Sequence, residues 1–191
     1  MGGVKGVCLV AAIMGMLALG GCMRRAVTVE DFSKDGVSFS YDSDWTVAKD
    51  ADVAGGNARS IEVKGPNNAL VMLECLSPAR RDTLEEFAKE VAEGREQAVD
   101  RARIGSMQLA STGKVKTKPA TAVVSGHDAT GLAQHFPISV FGVDVPHEAR
   151  FFLVEGTRYR IVVMTQVAEA SVDGTRAGMD LILKTLRTDG E

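Results

Sequence analysis

Cysteine is scarce in this 191-residue chain: three residues, too few for a disulfide scaffold or a four-thiolate zinc site. Neither sign of charge dominates. Lys and Arg number 22 against 25 Asp and Glu, and a net charge of −3 gives a nucleic-acid partner no electrostatic support. No Gly/Pro period of the collagen type is present, and there is no internal repeat, low-complexity tract or long linker. The sequence also lacks a Gly-x-x-x-x-Gly-Lys-Ser/Thr phosphate loop, a Gly-x-Ser-x-Gly elbow, a His-Glu-x-x-His pair and a Cys-x-x-Cys pair. Gly55-Gly56-Asn57 precedes a strand-like run rather than a helix, so it reads as a turn and not as a phosphate cradle. What remains is an ordinary globular balance, 45% apolar and 25% charged, with room for one domain.

The one long uncharged run lies at the start. Lys5 is followed by Gly6 to Gly21, 16 residues without a charge. As a helix that run is about 24 Å long, short of the roughly 30 Å hydrocarbon core. A basic start, an apolar stretch and small residues before a cut point describe a secretory signal. The basic groups on either side (Lys5 and the amino terminus before, Arg24 and Arg25 after) balance, so the charge rule alone does not orient the segment. Met1-Gly2 does not make a myristoylation site, because Gly6 stands where Ser or Thr is wanted.

The stretch ends Leu19-Gly20-Gly21-Cys22, which resembles the lipobox of bacterial lipoprotein precursors. The resemblance implies that residues 1–21 are a signal peptide cut before Cys22. The Cys22 thiol then carries diacylglycerol, and its amine a further acyl chain such as palmitate. Leu19, Gly20 and Gly21 would be the cleavage recognition residues. Two or three chains hold a membrane firmly where one does so only marginally. Residues 22–30 read as a lipidated tether, and residues 31–191 as a single domain outside the cytoplasmic membrane, periplasmic in a Gram-negative cell. Met23 rather than Asp after the cysteine leans towards the outer membrane, with the inner left open. The remaining thiol, Cys75, shares a strand face with Val71 and Leu73 and reads as a buried structural group.

Within the domain the apolar pattern alternates at first. Val37, Phe39 and Tyr41 face one way, Trp45 opens a second strand, and Ile61 and Val63 mark a third before Ala69–Leu76. Thr83-Leu84-Glu85-Glu86 is a capping box. Behind it, Leu84, Phe87, Ala88, Val91, Ala92, Ala98, Val99 and Ala102 form a stripe at helical spacing over about 20 residues, opposite a solvated charged face. Strands are expected at Leu109–Lys116, Ala120–Ser125, Ala129–Phe136, Ile138–Val145, Glu148–Glu155 and Arg158–Val167. A final helix, with Asp173 as candidate cap, carries Met179, Ile182, Leu183 and Leu186. Arg150–Val154 and Tyr159–Met164 are apolar on both strand faces, and such strands need cover on both sides. The expected fold is therefore α+β, a mostly antiparallel sheet sandwiched between helices.

This layout is similar to the PsbP-like fold, including the DcrB-like bacterial lipoproteins. The likeness rests on Gly36-Val-Ser-Phe-Ser-Tyr41 and Trp45-Thr-Val47, the helix over 83–103, the late hairpin 151–163 and the last helix. Asp42 stands where the family often has Pro. The resemblance implies an α/β/α sandwich used as a binding or assembly module, with no shared catalytic residues to carry over.

The functional expectation is a membrane-tethered envelope lipoprotein acting as a non-catalytic binding module. It needs no cofactor and no nucleic acid, and its envelope partner is not specified by the sequence. The alternative is a small-ligand or metal-binding envelope protein using a groove near His135, His147 and Tyr41. If Gly142 lies near the turn of a hairpin, those two imidazoles fall towards its open end, where Glu148 or Asp128 could complete a zinc or copper set. Against this, the turn is off-centre by about a residue, and Pro137 and Pro146 disturb the ladder. His127 reads as a loop residue, and Arg80-Arg81 as an exposed pair before the helix. Trp45 and Tyr41 read as core anchors more readily than as ligand contacts. A docking module of this kind should carry its binding face as uncovered apolar surface.

Overall fold

The computed structural model describes residues 28–53, 58–77, 79–80, 82–101, 103–104 and 107–188. Five strands come first: β1 (Val29–Lys34), β2 (Val37–Asp42), β3 (Thr46–Asp52), β4 (Ala58–Lys64) and β5 (Leu70–Leu76). Helix α1 (Leu84–Asp100) follows, then the short β6 (Arg103–Ile104), β7 (Met107–Gln108) and β8 (Ala110–Thr112). The chain ends with β9 (Lys116–Val124), β10 (His127–Val140), β11 (Val143–Glu155), β12 (Arg160–Ala168), α2 (Val172–Thr185) and β13 (Arg187–Thr188).

Every strand pair is antiparallel. The main sheet runs β3-β4-β5-β12-β11-β10-β8, with β9 pairing an earlier stretch of β10. A second sheet orders β1-β2-β13. Thus β1 begins at Val29, two residues inside the segment expected as tether.

Strand β12 is buried along almost its whole length, and its alternation divides the core. Ile161 and Val163 join Ile61, Leu73, Phe152 and Trp45 in a cluster with Met179, Ile182 and Leu183 of α2. Val162 and Met164 join Phe136, Phe151 and Ala149 in a second cluster with Phe87 and Ala88 of α1. The strands apolar on both faces thus contribute to two cores, one with each helix.

Helix α1 starts as its capping box dictates. The Glu86 amide donates to the Thr83 hydroxyl, and the Thr83 amide donates to the Glu86 carboxylate, a contribution of about 1 kcal/mol. The helix stops at Asp100, short of the expected Arg103, because Arg103 and Ile104 pair with Met107 and Gln108 instead. Its inward stripe also differs by one residue: Ala98 is exposed, and Arg95, three residues past Ala92, occupies the stripe. For α2 the expected cap moves from Asp173 to Ser171, which makes no side-chain capping bond; Asp173 sits in the first turn.

The largest departure concerns residues 138–145, expected as one strand. Phe141 and Gly142 both take positive φ (51° and 79°), the arrangement of a type I′ turn. The run bends back on itself there, so that Val140 faces Val143. The flanking expected strands merge across Pro137 and Pro146 into two arms of 14 and 13 residues.

Candidate docking surface

The β10–β11 register decides what the histidines can do. His135 pairs with Glu148, and Phe136 pairs with His147. Paired residues share a sheet face and consecutive residues alternate, so the two imidazoles point to opposite faces. The joint metal or ligand site proposed for His135 and His147 is not assembled; the turn is one residue out of register for it. His135 Nδ1 lies 2.9 Å from Glu169. The His147 ring stacks on Phe136, with its Nδ1 2.8 Å from the Val145 carbonyl. Glu148 meets Arg176 at 3.5 Å. Among the described residues no three His, Cys, Asp or Glu side chains cluster as a metal set.

The other flagged residues serve the fold. Tyr41 lies on β2 of the smaller sheet beside Phe39, and burial followed by a hydrogen bond with Glu30 raises its pKa. Trp45 is a core anchor whose indole fits against Gly65 and Gly178 with no space for a side chain at either. Cys75 is fully buried, and burial pushes its thiol up to about 12, which removes it as a nucleophile. Arg80 contacts Asp82, and Arg81 lies outside the described residues, as do Leu19, Gly20, Gly21 and Cys22. His127 opens β10, exposed, directly after the Ser125-Gly126 turn.

Sequence reasoning missed four arginines drawn into the body of the domain. Arg59, 5% exposed, reaches Asp50 at 2.6 Å, and that carboxylate also meets Lys34. The Arg59 hydrogen bond is the chief reason the Asp50 carboxyl sits down at about 2. Arg160 donates to Glu155 and to the carbonyls of Arg80 and Asp82, fastening the chain just before α1. Arg150 donates to the Thr121 carbonyl and lies over the Phe152 ring. Arg95 lies 3.6 Å from the centre of the Phe136 ring, and burial lowers its pKa to about 10. One of its amino groups finds no partner among the described residues. The spacing of Arg95 from Val91 and Ala92 was the available signal for that one.

Two open grooves adjoin α1. One, about 400 Å³, lies between the helix and β3–β5, lined by Lys49, Ser60, Met72, Glu74, Arg80 and Phe87 among others. In it the Ser60 hydroxyl donates to Glu74 at 2.7 Å, and burial raises the Glu74 carboxyl. A carboxylate is a weak base for a serine hydroxyl without an imidazole between them. The pair therefore reads as a half-buried acid satisfied by its neighbour. The other groove, about 390 Å³, is lined by Lys89, Arg95, Glu96, Thr112 and Lys114 among others, a mixture of both charges.

The conspicuous uncovered surface is the outer end of the β10–β11 hairpin. Phe141 is 76% exposed, Val143 65%, Val140 40% and Val145 36%. By register Val140, Val143 and Val145 share one face, while Ser139 and Asp144 are bonded to each other on the opposite one. Residues 143–146 of β11 have partners on β10 but none on β12, whose last pair is His147 with Ala168. The arm therefore runs on past its neighbour by four residues, about 13 Å. Phe141 in the left-handed region costs about 1 kcal/mol against the Asn or Gly usual there, and at its exposure the ring returns little packing.

Among the solved structures that resemble this fold are CyanoP and LpqN. Cyanobacterial PsbP (CyanoP) from Synechocystis is similar over 91% of this chain and 98% of its own, at 14% identity and a TM-score of 0.47. LpqN, involved in cell envelope biogenesis of Mycobacterium tuberculosis, is similar over 85% of this chain and 92% of its own, at 9% identity and 0.42. No protein-family model matches the sequence, and no curated protein is similar to it in sequence.

Proposed function

We propose that the chain is an envelope lipoprotein, a non-catalytic docking module held to a membrane by acyl chains on Cys22, with α1 and α2 covering opposite faces of its main sheet. The observation that carries the docking part is the β10–β11 hairpin end, where Phe141, Val140, Val143 and Val145 lie uncovered by the rest of the fold. The groups that would mark an enzyme are tied into the structure instead: Cys75 by burial, Ser60 to Glu74, His135 to Glu169 and His147 against Phe136. The tether part is supported by the uncharged run 6–21 ending Leu19-Gly20-Gly21-Cys22. No helix among the described residues is long and apolar enough to cross a membrane.

Intact mass spectrometry of the protein extracted from its native membranes tests the tether. A chain beginning at Cys22 and carrying acyl chains is expected; a chain beginning at Met1, or at Cys22 with a bare thiol, overturns it. Cys22→Ser should release the domain or leave it as uncleaved precursor. A fluorophosphonate probe tests the non-catalytic reading at Ser60, where no labelling is expected and stoichiometric labelling would refute it.

A further inference from the structure

We propose that the hairpin end is seated in the bilayer surface itself, with Phe141, Val140, Val143 and Val145 entering the boundary between headgroups and acyl chains beside the anchored N-terminus. The inference rests on the acyl tether proposed above and adds to it a second membrane contact that fixes how the domain stands.

Three observations support this, two pointing to lipid as the occupant and the third to a use of the turn outside the chain. The first is shape. The apolar residues sit not in a groove but at the end of a hairpin that runs past β12 on one side and is edged by β8 on the other, with a phenylalanine at its tip and one apolar face backed by the polar pair Ser139 and Asp144. A projecting amphipathic element suits an interface, where one face stays wet and the other meets the acyl region. The unpaired outer edge of residues 143–146 limits the depth, because backbone groups without partners are not tolerated in hydrocarbon. The contact is thus one of side chains at the boundary, with Asp144 left in water.

The second is where the chain enters the domain. Thr28 bonds to Ser43, just before β3 begins at Thr46. The register carries that end of the sheet from Thr46 across Lys64, Leu70 and Gln166 to Ala149, and two residues further along β11, past His147, the hairpin projects. Thr28 and the turn therefore belong to the same end of the strands. Six peptide steps separate Cys22 from Thr28, so the acylated residue lies within roughly 20 Å of it. A tether that short keeps this end of the domain near the membrane whatever else happens. The third is the strained turn. An exposed aromatic held at φ 51° does nothing for the fold that Asn would not do better, which points to a use outside the chain.

Cys75 is buried and poorly ionised, so a cysteine introduced on the surface can be labelled selectively. The full acylated chain carrying Val143→Cys is labelled with an NBD fluorophore and reconstituted into phosphatidylethanolamine/phosphatidylglycerol vesicles. A second sample carries the label at His127→Cys, on the β9–β10 turn at the other end of β10. Blue-shifted NBD emission, quenched by lipids brominated on the acyl chains, is expected at 143 and not at 127. Adding Phe141→Asn, which suits a type I′ turn and should leave thermal unfolding unchanged or higher, should remove most of that quenching.

Water-like emission at both positions, in protein that floats with the vesicles, overturns the membrane contact while the tether stands. Protein that lacks acyl chains by mass and does not float overturns both. A blue shift at 143 that appears without lipid and grows with protein concentration assigns the surface to a second copy of the chain, and so overturns the proposal. A shift at 143 without bromolipid quenching does the same.

Discussion

In one core cluster, Ile61, Leu73, Val163 and Phe152 meet Met179, Ile182 and Leu183 of α2, with Trp45 wedged beside them. In the other, Phe87 and Ala88 of α1 meet Phe136, Phe151 and Met164 across a surface that also holds Arg95, Gln134 and Glu74. The first helix is polar along most of its length, and its longest inward side chain is a guanidinium laid on a ring; the second presents aliphatic side chains. The α2 face is closed further by the β1-β2-β13 sheet, whose Val37 and Phe39 complete the same cluster. The α1 face is left with grooves on its flanks. The difference teaches that two amphipathic helices of similar length can play unlike parts: α2 closes a dry core, and α1 packs on a core that remains half wet.

The hardest test of this contrast is truncation. Leu183→Ala removes a fully buried side chain from the dry side and should cost about 3–4 kcal/mol in urea unfolding. Val91→Ala, at a half-buried position on α1, should cost about 1 kcal/mol or less. Equal losses would mean that α1 packs as tightly as α2, contrary to the structure.

A second test uses pH, because a carboxylate on each face is shifted in opposite senses. Asp50 belongs to the α2 side through Arg59 and Lys34, and Glu74 lines the groove beside α1. Asp50 is depressed to about 2, so its stabilisation is complete above the unfolded value near 4 and is lost as pH falls towards 2. Glu74 is raised by burial, so its ionised form is disfavoured in the fold; stability falls as pH rises through its folded value and is regained on acidification. Asp50→Asn should therefore cost about 2 kcal/mol at neutral pH by leaving Arg59 short of its carboxylate, with the difference from wild type shrinking between pH 4 and 2. Glu74→Gln should be neutral to stabilising at pH 7 and indistinguishable from wild type in acid. Urea midpoints from pH 2.5 to 7 give both curves, and a Glu74→Gln loss at pH 7 would contradict the assignment.

The α2 face was the more legible of the two. Val37, Phe39, Ile61, Val63 and the Met179, Ile182, Leu183, Leu186 stripe read directly as core, because alternation and helical spacing are local signals and all of these are buried. Two strands apolar on both faces carried the mixed architecture. What the pattern could not give was register. Whether Phe141-Gly142 or a neighbouring pair forms the turn is a choice between backbone conformations that apolar periodicity does not encode, and it moved His135 and His147 to opposite faces. A turn near Gly142 could be raised from the sequence, but the apolar run Ile138 to Val145 carries no sign that the end of that hairpin stays uncovered. Arg95 was missed because a stripe drawn from apolar residues alone skips a charged one stacked on an aromatic.

The smallest effects come from one substitution made in both helices. Gly178 of α2 lies against the Trp45 indole so closely that a Cβ would fall 2.4 Å from its Nε1. Trp45 has little room to retreat, since Gly65 also lies against the ring, where a Cβ would fall 2.5 Å from it. Gly178→Ala must therefore displace the indole or the helix, and overpacking of this kind should cost about 1–3 kcal/mol despite the better helix propensity of Ala. Gly94 of α1 has nothing within 4 Å of the same atom, so Gly94→Ala meets open space. There the propensity term acts alone and should stabilise by about 0.5–1 kcal/mol. Thermal unfolding of the two variants should bracket wild type. If both fall below it, α1 is packed against something at Gly94 that the chain itself does not supply, and the contrast between the helices fails at its most exposed point.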